Sequence, residues 1–118
     1  SKLKATQAGV VGSYPEREVT AVFELHTFSS LNKNFLPQYK GSMDAVNHAV
    51  VFYDPDVVKH KRLPAISIQE VIDCFERDDL EVITSVDKLD NRLKKIPNEN
   101  HCVLMMSSGR FSGVEIPQ

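Results

Sequence analysis

Four short runs rich in apolar and β-branched residues, each followed by a segment of a different periodicity, constrain the fold of this chain more than any other feature. They cover residues 19–25, 49–53, 81–84 and 102–106. At least the second and fourth runs are continuously apolar, which is typical of strands that are buried on both faces. Strands that alternate with helices form a parallel sheet between helical layers. The sequence therefore predicts an α/β fold, a Rossmann-like three-layer sandwich with a mostly parallel sheet.

The segments between these runs have the spacing of amphipathic helices. Pro37 lies early enough in the second of them to be tolerated near a first turn. Ser67 and Glu70 match a capping box, and Ser85 is a candidate N-cap. The stretch 55–66 is interpreted as a long loop. Helices are predicted over residues 1–14, 31–43, 67–75 and 85–96.

Composition excludes several classes of protein. A length of 118 residues fits a single domain, residues 1–118, and a net charge of −2 gives no reason to expect nucleic acid as a partner. The basic run at 59–62 is interpreted as a solvated loop. Since no apolar stretch approaches the ~20 residues that span a bilayer, no membrane partner is expected. Cys74 and Cys102 are predicted to be buried free thiols, which suits the cytoplasm.

Polar residues follow each predicted strand. Right-handed crossovers bring the carboxyl ends of parallel strands to one edge of the sheet, and ligands bind outside that edge where the strand order reverses. Hydroxyls, amides, a Lys and an Arg suit an anionic or zwitterionic ligand. The predicted clusters are His26, Thr27, Ser29, Ser30, Asn32 and Lys33 after the first strand; Asp54 and Asp56 after the second; Thr84 and Ser85 after the third; and Ser107, Ser108, Gly109 and Arg110 after the fourth.

Each cluster also has a purely structural interpretation. The loop 26–33 caps a helix, binds a ligand, or does both. The turn at 107–109 is an ordinary strand end or a binding turn, and Arg110 is a surface residue or holds a carboxylate. Asp54 and Asp56 fit turn chemistry better than a metal pair.

The sequence contains no recognisable catalytic or metal-binding pattern. The four histidines lie far apart in the sequence, without the short-range pairing of a metal site, so no metal is expected. Of the four, His26 alone follows a strand at the proposed edge, while His48 and His101 immediately precede strands. The chain contains no phosphate loop of the G-x-x-x-x-G-K-S/T kind and no serine nucleophile elbow. No catalytic residue is therefore predicted within this chain.

Two segments resemble the C-terminal domain of Mur ligases. Residues 22–31, VFELHTFSSL, are similar to that domain's first strand and loop, which commonly reads H-T-Y-S-R-T in the alanine-adding members. Residues 102–109 resemble its last strand and small-residue turn. Within the family the best match is the murein peptide ligase branch, which attaches a recycled tripeptide to UDP-N-acetylmuramate. The next is the UDP-N-acetylmuramate–L-alanine ligase branch.

The resemblance implies that the chain is the substrate-binding domain of a larger cytoplasmic ligase of peptidoglycan synthesis or recycling. Domains for the UDP-sugar and for ATP would lie upstream. ATP, with Mg²⁺, would phosphorylate the sugar-linked carboxylate of UDP-N-acetylmuramate, and the amine of an amino acid or tripeptide would attack the acyl phosphate. The isolated domain is expected to bind no cofactor and to be inactive.

The resemblance also assigns roles to residues at the proposed edge. His26, Thr27 and Ser29 match the loop that faces the nucleotide and substrate. The turn at 107–109 matches the one that places the incoming amine. Asn32, Lys33 and Arg110 are added from their position in the sheet alone. Ser30 departs from the pattern, because the alanine-adding members have Arg there, and this removes a fixed cation.

A different class of protein remains an alternative, namely a free-standing Rossmann-like binding or regulatory module such as a receiver-like domain. Asp54 at a strand end suggests it. A receiver also needs an acidic cluster after its first strand, where this chain has Glu24 and His26.

Overall fold

A four-stranded parallel sheet forms the centre of the structure, a computed structural model that describes residues 2–27 and 30–107. The strands are β1 (Glu18–Glu24), β2 (His48–Phe52), β3 (Glu81–Ile83) and β4 (His101–Ser107), and the helices are α1 (Lys2–Ser13), α2 (Pro55–His60), α3 (Ile68–Phe75) and α4 (Val86–Lys94). The predicted α/β class and the four predicted strands are confirmed, with strand ends that differ by at most one residue.

The strands lie in the order β3-β2-β1-β4, and all three neighbouring pairs are parallel. The chain therefore moves outward from β1 through β2 to β3, then returns to the other side of β1. This reversal places β1 between β2 and β4. It creates a topological switch point between β1 and β4.

Helices cover both faces of the sheet, because successive residues of a buried strand point to opposite sides. Val22 of β1 and Phe52 of β2 pack against Leu89 and Leu93 of α4. The other face carries α1, α3 and a short 3-10 helix, Leu36–Tyr39. The structure is thus the three-layer sandwich that the sequence predicts.

The helix predicted over residues 31–43 is wrong in conformation, although its apolar residues are buried or half-buried. Only Leu36–Tyr39 is helical, and it is a 3-10 turn that contains Pro37. Proline lacks an N–H and disfavours a helical conformation in the residue before it, so an α-helix through this point loses its bonding pattern. Tyr39 still stacks on Phe75 of α3, with ring centroids 5.3 Å apart, and burial raises the pKa of its hydroxyl.

The loop predicted over residues 55–66 is wrong for its first half, which is helix α2. The Asp54 side chain caps this helix by accepting from the N–H of Asp56 at 2.9 Å, and Pro55 occupies its first turn. Proline at this point is favourable because the first N–H groups of a helix have no partner within the helix. The pair Asp54 and Asp56 therefore marks a helix start and not a simple turn.

The predicted starts of α3 and α4 are confirmed in different degrees. The Ser67 hydroxyl accepts from the N–H of Glu70, and the Glu70 carboxylate accepts from the N–H of Ser67, which completes the capping box. Ser85 occupies the N-cap position of α4 but makes no side-chain capping bond.

Cys74 and Cys102 are free thiols and are half-buried rather than fully buried. Burial, followed by the charges of Glu70 and Asp73, raises the pKa of Cys74. Within residues 2–27 and 30–107, no helix has the length and apolar character needed to cross a bilayer.

Candidate functional site

The carboxyl ends of β1 and β4 lie side by side at the switch point. The register pairs Glu24 with Ser107, so the loop that begins at Leu25 and the chain that leaves β4 start from neighbouring positions. These are the two segments that the sequence predicts to share a site. In open α/β sheets this is the place where ligands bind.

A side-chain hydrogen bond joins the two strand ends. The Ser107 hydroxyl donates to the Glu24 carboxylate at 2.8 Å. The Glu24 side chain is on the α4 face of β1 and is 1% exposed, whereas Ser107 is exposed. A buried carboxylate is costly to desolvate and requires hydrogen-bond donors. The Glu24 side chain therefore places hydrogen-bond acceptors at the switch point, in contact with an exposed hydroxyl group.

His26 is half-buried and faces a groove beside the switch point. This groove has a volume of about 370 Å³ and is lined by His26 together with Asp56, Val57, His60 and Lys61 of the α2 segment. The loop after β1 is tied to β2, because the N–H of Leu25 donates to the carbonyl of Phe52 at 2.9 Å. Two imidazoles, an ammonium group and a carboxylate therefore meet at the ends of β1 and β2.

Thr27 and Ser30 form a compact turn rather than a projecting pair of ligands. The Ser30 hydroxyl donates to the carbonyl of Thr27 at 3.0 Å, and the Thr27 hydroxyl accepts from the N–H of Ser30 at 3.2 Å. Ser30 is 1% exposed. The Ser30 side chain therefore stabilises the conformation of the loop. Because it is buried, a direct contact with a ligand is disfavoured.

Asn32 and Lys33 are also engaged in local contacts. The side-chain oxygen of Asn32 accepts from the N–H of Asn34 at 2.9 Å, which forms a short turn. The ammonium group of Lys33 lies 3.2 Å from the Glu70 carboxylate at the start of α3. Together with the Ser67 cap, this ion pair lowers the pKa of Glu70.

Some of the predicted site residues lie close together, and others fall outside the described residues. His26, Thr27 and Ser107 lie at adjoining strand ends, and the Thr27 turn contains Ser30. Asp54 serves as the cap of α2, and Thr84 and Ser85 are half-buried between β3 and α4. The predictions for Ser29, Ser108, Gly109 and Arg110 fall outside the described residues.

Two histidines lie at the amino ends of the strands, as the sequence predicts. We call this end of the sheet the amino edge and the opposite end the carboxyl edge. His48 and His101 begin β2 and β4, and their rings are stacked with centroids 6.0 Å apart. The Glu18 carboxylate lies 3.3 Å from His48 Nε2 and 3.9 Å from His101 Nδ1. His101 Nε2 is 2.7 Å from the Thr20 hydroxyl. This cluster therefore joins β1 to both of its neighbours at the amino edge.

Sequence reasoning missed Glu24 as a site residue and, apart from Asp56, the residues of the α2 segment that line the groove. Glu24 is the one ionisable side chain in the apolar run 19–25, and a charge in a buried strand is a signal of special placement. The Asp54-Pro55 start of α2 is a signal that the basic residues after it have a fixed orientation.

Neither a metal-binding group nor a similar protein assigns a function to this site. In the part of the chain that the structure describes, no group of three His, Cys, Asp or Glu side chains is arranged to hold a metal ion. No protein-family model, curated protein or solved structure matches this chain. The candidate site therefore rests on the residues and geometry given above.

Proposed function

We propose that this chain is the substrate-binding domain of a cytoplasmic ATP-dependent amide ligase of the Mur type. In this proposal it holds the amine that attacks a carboxylate of UDP-N-acetylmuramate after ATP, with Mg²⁺, has activated that carboxylate in the neighbouring domains. The reaction belongs to peptidoglycan synthesis or recycling. The chain supplies substrate contacts and contributes no catalytic residue of its own.

The adjacency of the His26 loop and the Ser107 strand end is the observation that carries the proposal. These two segments hold the motifs that resemble the Mur family, and they are separated by about 80 residues of sequence. Their meeting at the switch point supports a shared binding surface. Had they been at opposite edges of the sheet, a common pocket would be impossible.

The receiver-like alternative receives less support from the geometry. A phosphoacceptor carboxylate must be open to a phosphodonor, whereas the Asp54 side chain is occupied in capping α2. Glu24, which would have to supply the accompanying acidic group, is buried. We therefore retain the ligase as the single proposed function.

The direct test compares the 118-residue chain with a longer protein that also contains the ATP and UDP-sugar domains. The longer protein is expected to release ADP and form an amide when it is given ATP, Mg²⁺, UDP-N-acetylmuramate and an amine acceptor. The short chain should do neither. Absence of amide formation with every alanine or peptide acceptor in the longer protein would refute the ligase assignment.

The acceptor is a separate question that the same assay answers. L-Alanine and the tripeptide L-alanyl-γ-D-glutamyl-meso-diaminopimelate are compared at equal concentrations. We expect higher kcat/KM with the tripeptide, because Ser30 replaces the Arg of the alanine-adding pattern. Preference for L-alanine would keep the ligase class but change the branch.

A further inference from the structure

We propose that the groove beside His26 binds an amino-acid group that carries both its ammonium and its carboxylate. This groove, which we call the α2 groove, has a volume of about 370 Å³, within the range of small-molecule sites. It is lined by His26, Asp56, Val57, His60 and Lys61. The order of the charges along one helix face indicates the class of ligand.

One face of α2 forms a wall of the groove. Residues four positions apart are neighbours on a helix surface, so Asp56 lies next to His60, and Val57 next to Lys61. Each residue rises about 1.5 Å, which separates the acidic start of this wall from its basic end by about 6 Å along the axis. The wall therefore has a carboxylate at one end, an ammonium group at the other, and an apolar side chain beside them.

This wall is held at both of its ends. The Asp54 cap fixes the start of α2. At the other end, the N–H of Leu63 donates to the carbonyl of Val58 at 3.1 Å, and the N–H of Arg62 donates to the carbonyl of Lys59 at 2.9 Å. Arg62 has a left-handed φ of 57°, and the combination is a common way to close a helix. A ligand in the groove therefore meets a wall that is already ordered.

The charges on the wall are not neutralised by neighbouring side chains. Within residues 2–27 and 30–107, the side chains of Asp56, His60 and Lys61 form no ion pair or hydrogen bond. Lys33 differs, because its ammonium group is paired with Glu70. Asp56 and His60 are exposed and Lys61 is half-buried, so a ligand can approach all three.

The two signs of charge select the ligand. A simple anion is attracted by Lys61 and repelled by Asp56, and a simple cation experiences the reverse. A group that carries both charges gains at both ends, provided that its ammonium lies toward Asp56 and its carboxylate toward Lys61. His60 adds an imidazole that can donate or accept a hydrogen bond. An amino-acid group is the small zwitterion that meets these requirements.

The identity of the ligand in the complete protein rests on the proposed ligase function. In the acceptor tripeptide the attacking amine belongs to the alanine, whereas the diaminopimelate side chain ends in a second ammonium and carboxylate. This distal group has the chemistry that the α2 groove fits. L-Alanine has no such group, because its one amine is the group that reacts. His26 lines the groove from the β1 loop, which makes the groove continuous with the proposed substrate site.

The first test titrates the 118-residue chain with small molecules and follows the amide signals of residues 56–61 by NMR. The probes are meso-diaminopimelate, pimelate, which lacks the amines, and cadaverine, which lacks the carboxylates. We expect saturable shifts with diaminopimelate. Pimelate and cadaverine should each bind about fivefold more weakly, the effect of losing one partly exposed charge contact.

Two variants of the groove should change this selectivity in opposite directions. Lys61→Gln should weaken the binding of diaminopimelate and pimelate about three- to fivefold and leave cadaverine unchanged. Asp56→Asn should weaken diaminopimelate and cadaverine to a similar extent. Pimelate should bind Asp56→Asn more tightly than the wild type, because the variant removes a repulsive charge.

The matched controls are Lys59→Gln and Asp87→Asn. Lys59 is in the same last turn of α2 but lines a different pocket, and Asp87 is in the first turn of α4. The helix dipole favours an acid at a helix start and a base at its end, so controls and groove variants should change the melting temperature similarly. Only the groove variants should change the binding of the probes.

The second test uses the longer ligase and an acceptor tripeptide in which L-lysine replaces diaminopimelate. This analogue keeps the distal ammonium and lacks the distal carboxylate. The wild type should have the higher kcat/KM with diaminopimelate, and Lys61→Gln should reduce this preference about three- to fivefold. Lys59→Gln should preserve the preference, and KM for ATP should be unchanged in both variants.

The outcomes separate this inference from the function on which it rests. Absence of saturable shifts with diaminopimelate, equal binding of the three probes, or equal losses in groove variants and controls would overturn the zwitterion site. An inactive longer ligase would remove the proposed function, while the titrations would still decide what the groove binds. An active ligase whose preference is the same in Lys61→Gln as in the wild type would refute the placement of the acceptor in this groove.

Discussion

The two edges of the sheet are both rich in polar residues, but they use them differently. At the amino edge the charged side chains bind the protein itself. Arg77 donates to the backbone carbonyls of Met43, Val46 and Asn47, and Arg92 forms a two-point contact with Glu81. These contacts fasten the loop before β2, and helix α4, to the strand starts.

At the carboxyl edge, polar groups are exposed or line a groove. A buried carboxylate supports an exposed hydroxyl at the end of β4, and imidazole and ammonium groups line a groove beside β1. Under the proposed function, the amino edge stabilises the fold and the carboxyl edge contacts the substrate. Measurements of stability can test this division, beginning with the largest expected effect.

Replacement of Arg77 by Met should produce the largest loss of stability. The guanidinium group is largely buried, with a side-chain exposure of 12%, and it satisfies three carbonyl groups in one loop. A methionine keeps much of the apolar stem but leaves those carbonyls without their donor. We expect the free energy of unfolding in urea to fall by about 3 kcal/mol.

The matched control is Arg92→Met, which removes a more exposed ion pair with Glu81. Such pairs contribute about 1 kcal/mol or less, so this change should be the milder of the two. Equal losses for the two variants would contradict the view that the Arg77 contacts to the backbone hold the amino edge together.

Replacement of Asp54 by Ala should have a smaller effect that is concentrated at the carboxyl edge. Loss of an N-cap side chain costs about 1 kcal/mol. Because α2 has only six residues, this loss is large relative to the stability of the helix. We expect faster hydrogen exchange in α2 and a loss of order in the groove beside His26. Exchange monitored by NMR would measure both.

Asp54→Asn separates capping from acidity, because asparagine is an equally good cap without a carboxylate. It should retain nearly wild-type exchange rates in α2. If Asp54→Asn were as damaging as Asp54→Ala, the carboxylate itself would have a role, and the receiver-like interpretation would gain support.

The fold was predictable because its signals are local and repeated. Continuous apolar runs at 49–53 and 102–106 indicate buried strands, and the Ser67 capping box marks a helix start within four residues. The errors arose where two local signals compete. Apolar spacing favours a helix across residues 31–43, but Pro37 prevents one. The Asp54-Pro55 pair fits a turn and a helix start equally well until tertiary packing decides.

The adjacency of the two predicted segments was predictable, but the contacts between and within them were not. Parallel strands bring their carboxyl ends to one edge, which was enough to associate the His26 loop with the end of β4. The bond between Glu24 and Ser107 depends on register, and register between residues 83 positions apart is set by packing across the whole sheet. Likewise, the inward turn of Ser30 depends on a loop conformation that the sequence does not encode locally.

The smallest predicted effect concerns pH and returns to the amino edge. Burial lowers the pKa of His101, followed by opposing contributions from Glu18, which raises it, and from His48 and Arg92, which lower it. A histidine whose folded-state pKa is below its unfolded value binds a proton more readily after unfolding. Stability is therefore complete above the ordinary histidine pKa of about 6.5 and declines as the pH falls below it.

The variant His101→Gln keeps a polar partner for Thr20 and removes this titration. Between pH 8.5 and pH 7.5 the wild type and the variant should differ by a constant free energy of unfolding, because His101 is neutral in both states there. Between pH 7 and pH 5 the wild type should lose stability more steeply than the variant. Parallel curves throughout would mean that His101 is not protected from protonation by folding. Burial of the His101 ring at the amino edge would then make no difference to its protonation, and this edge would lose its expected sensitivity to pH.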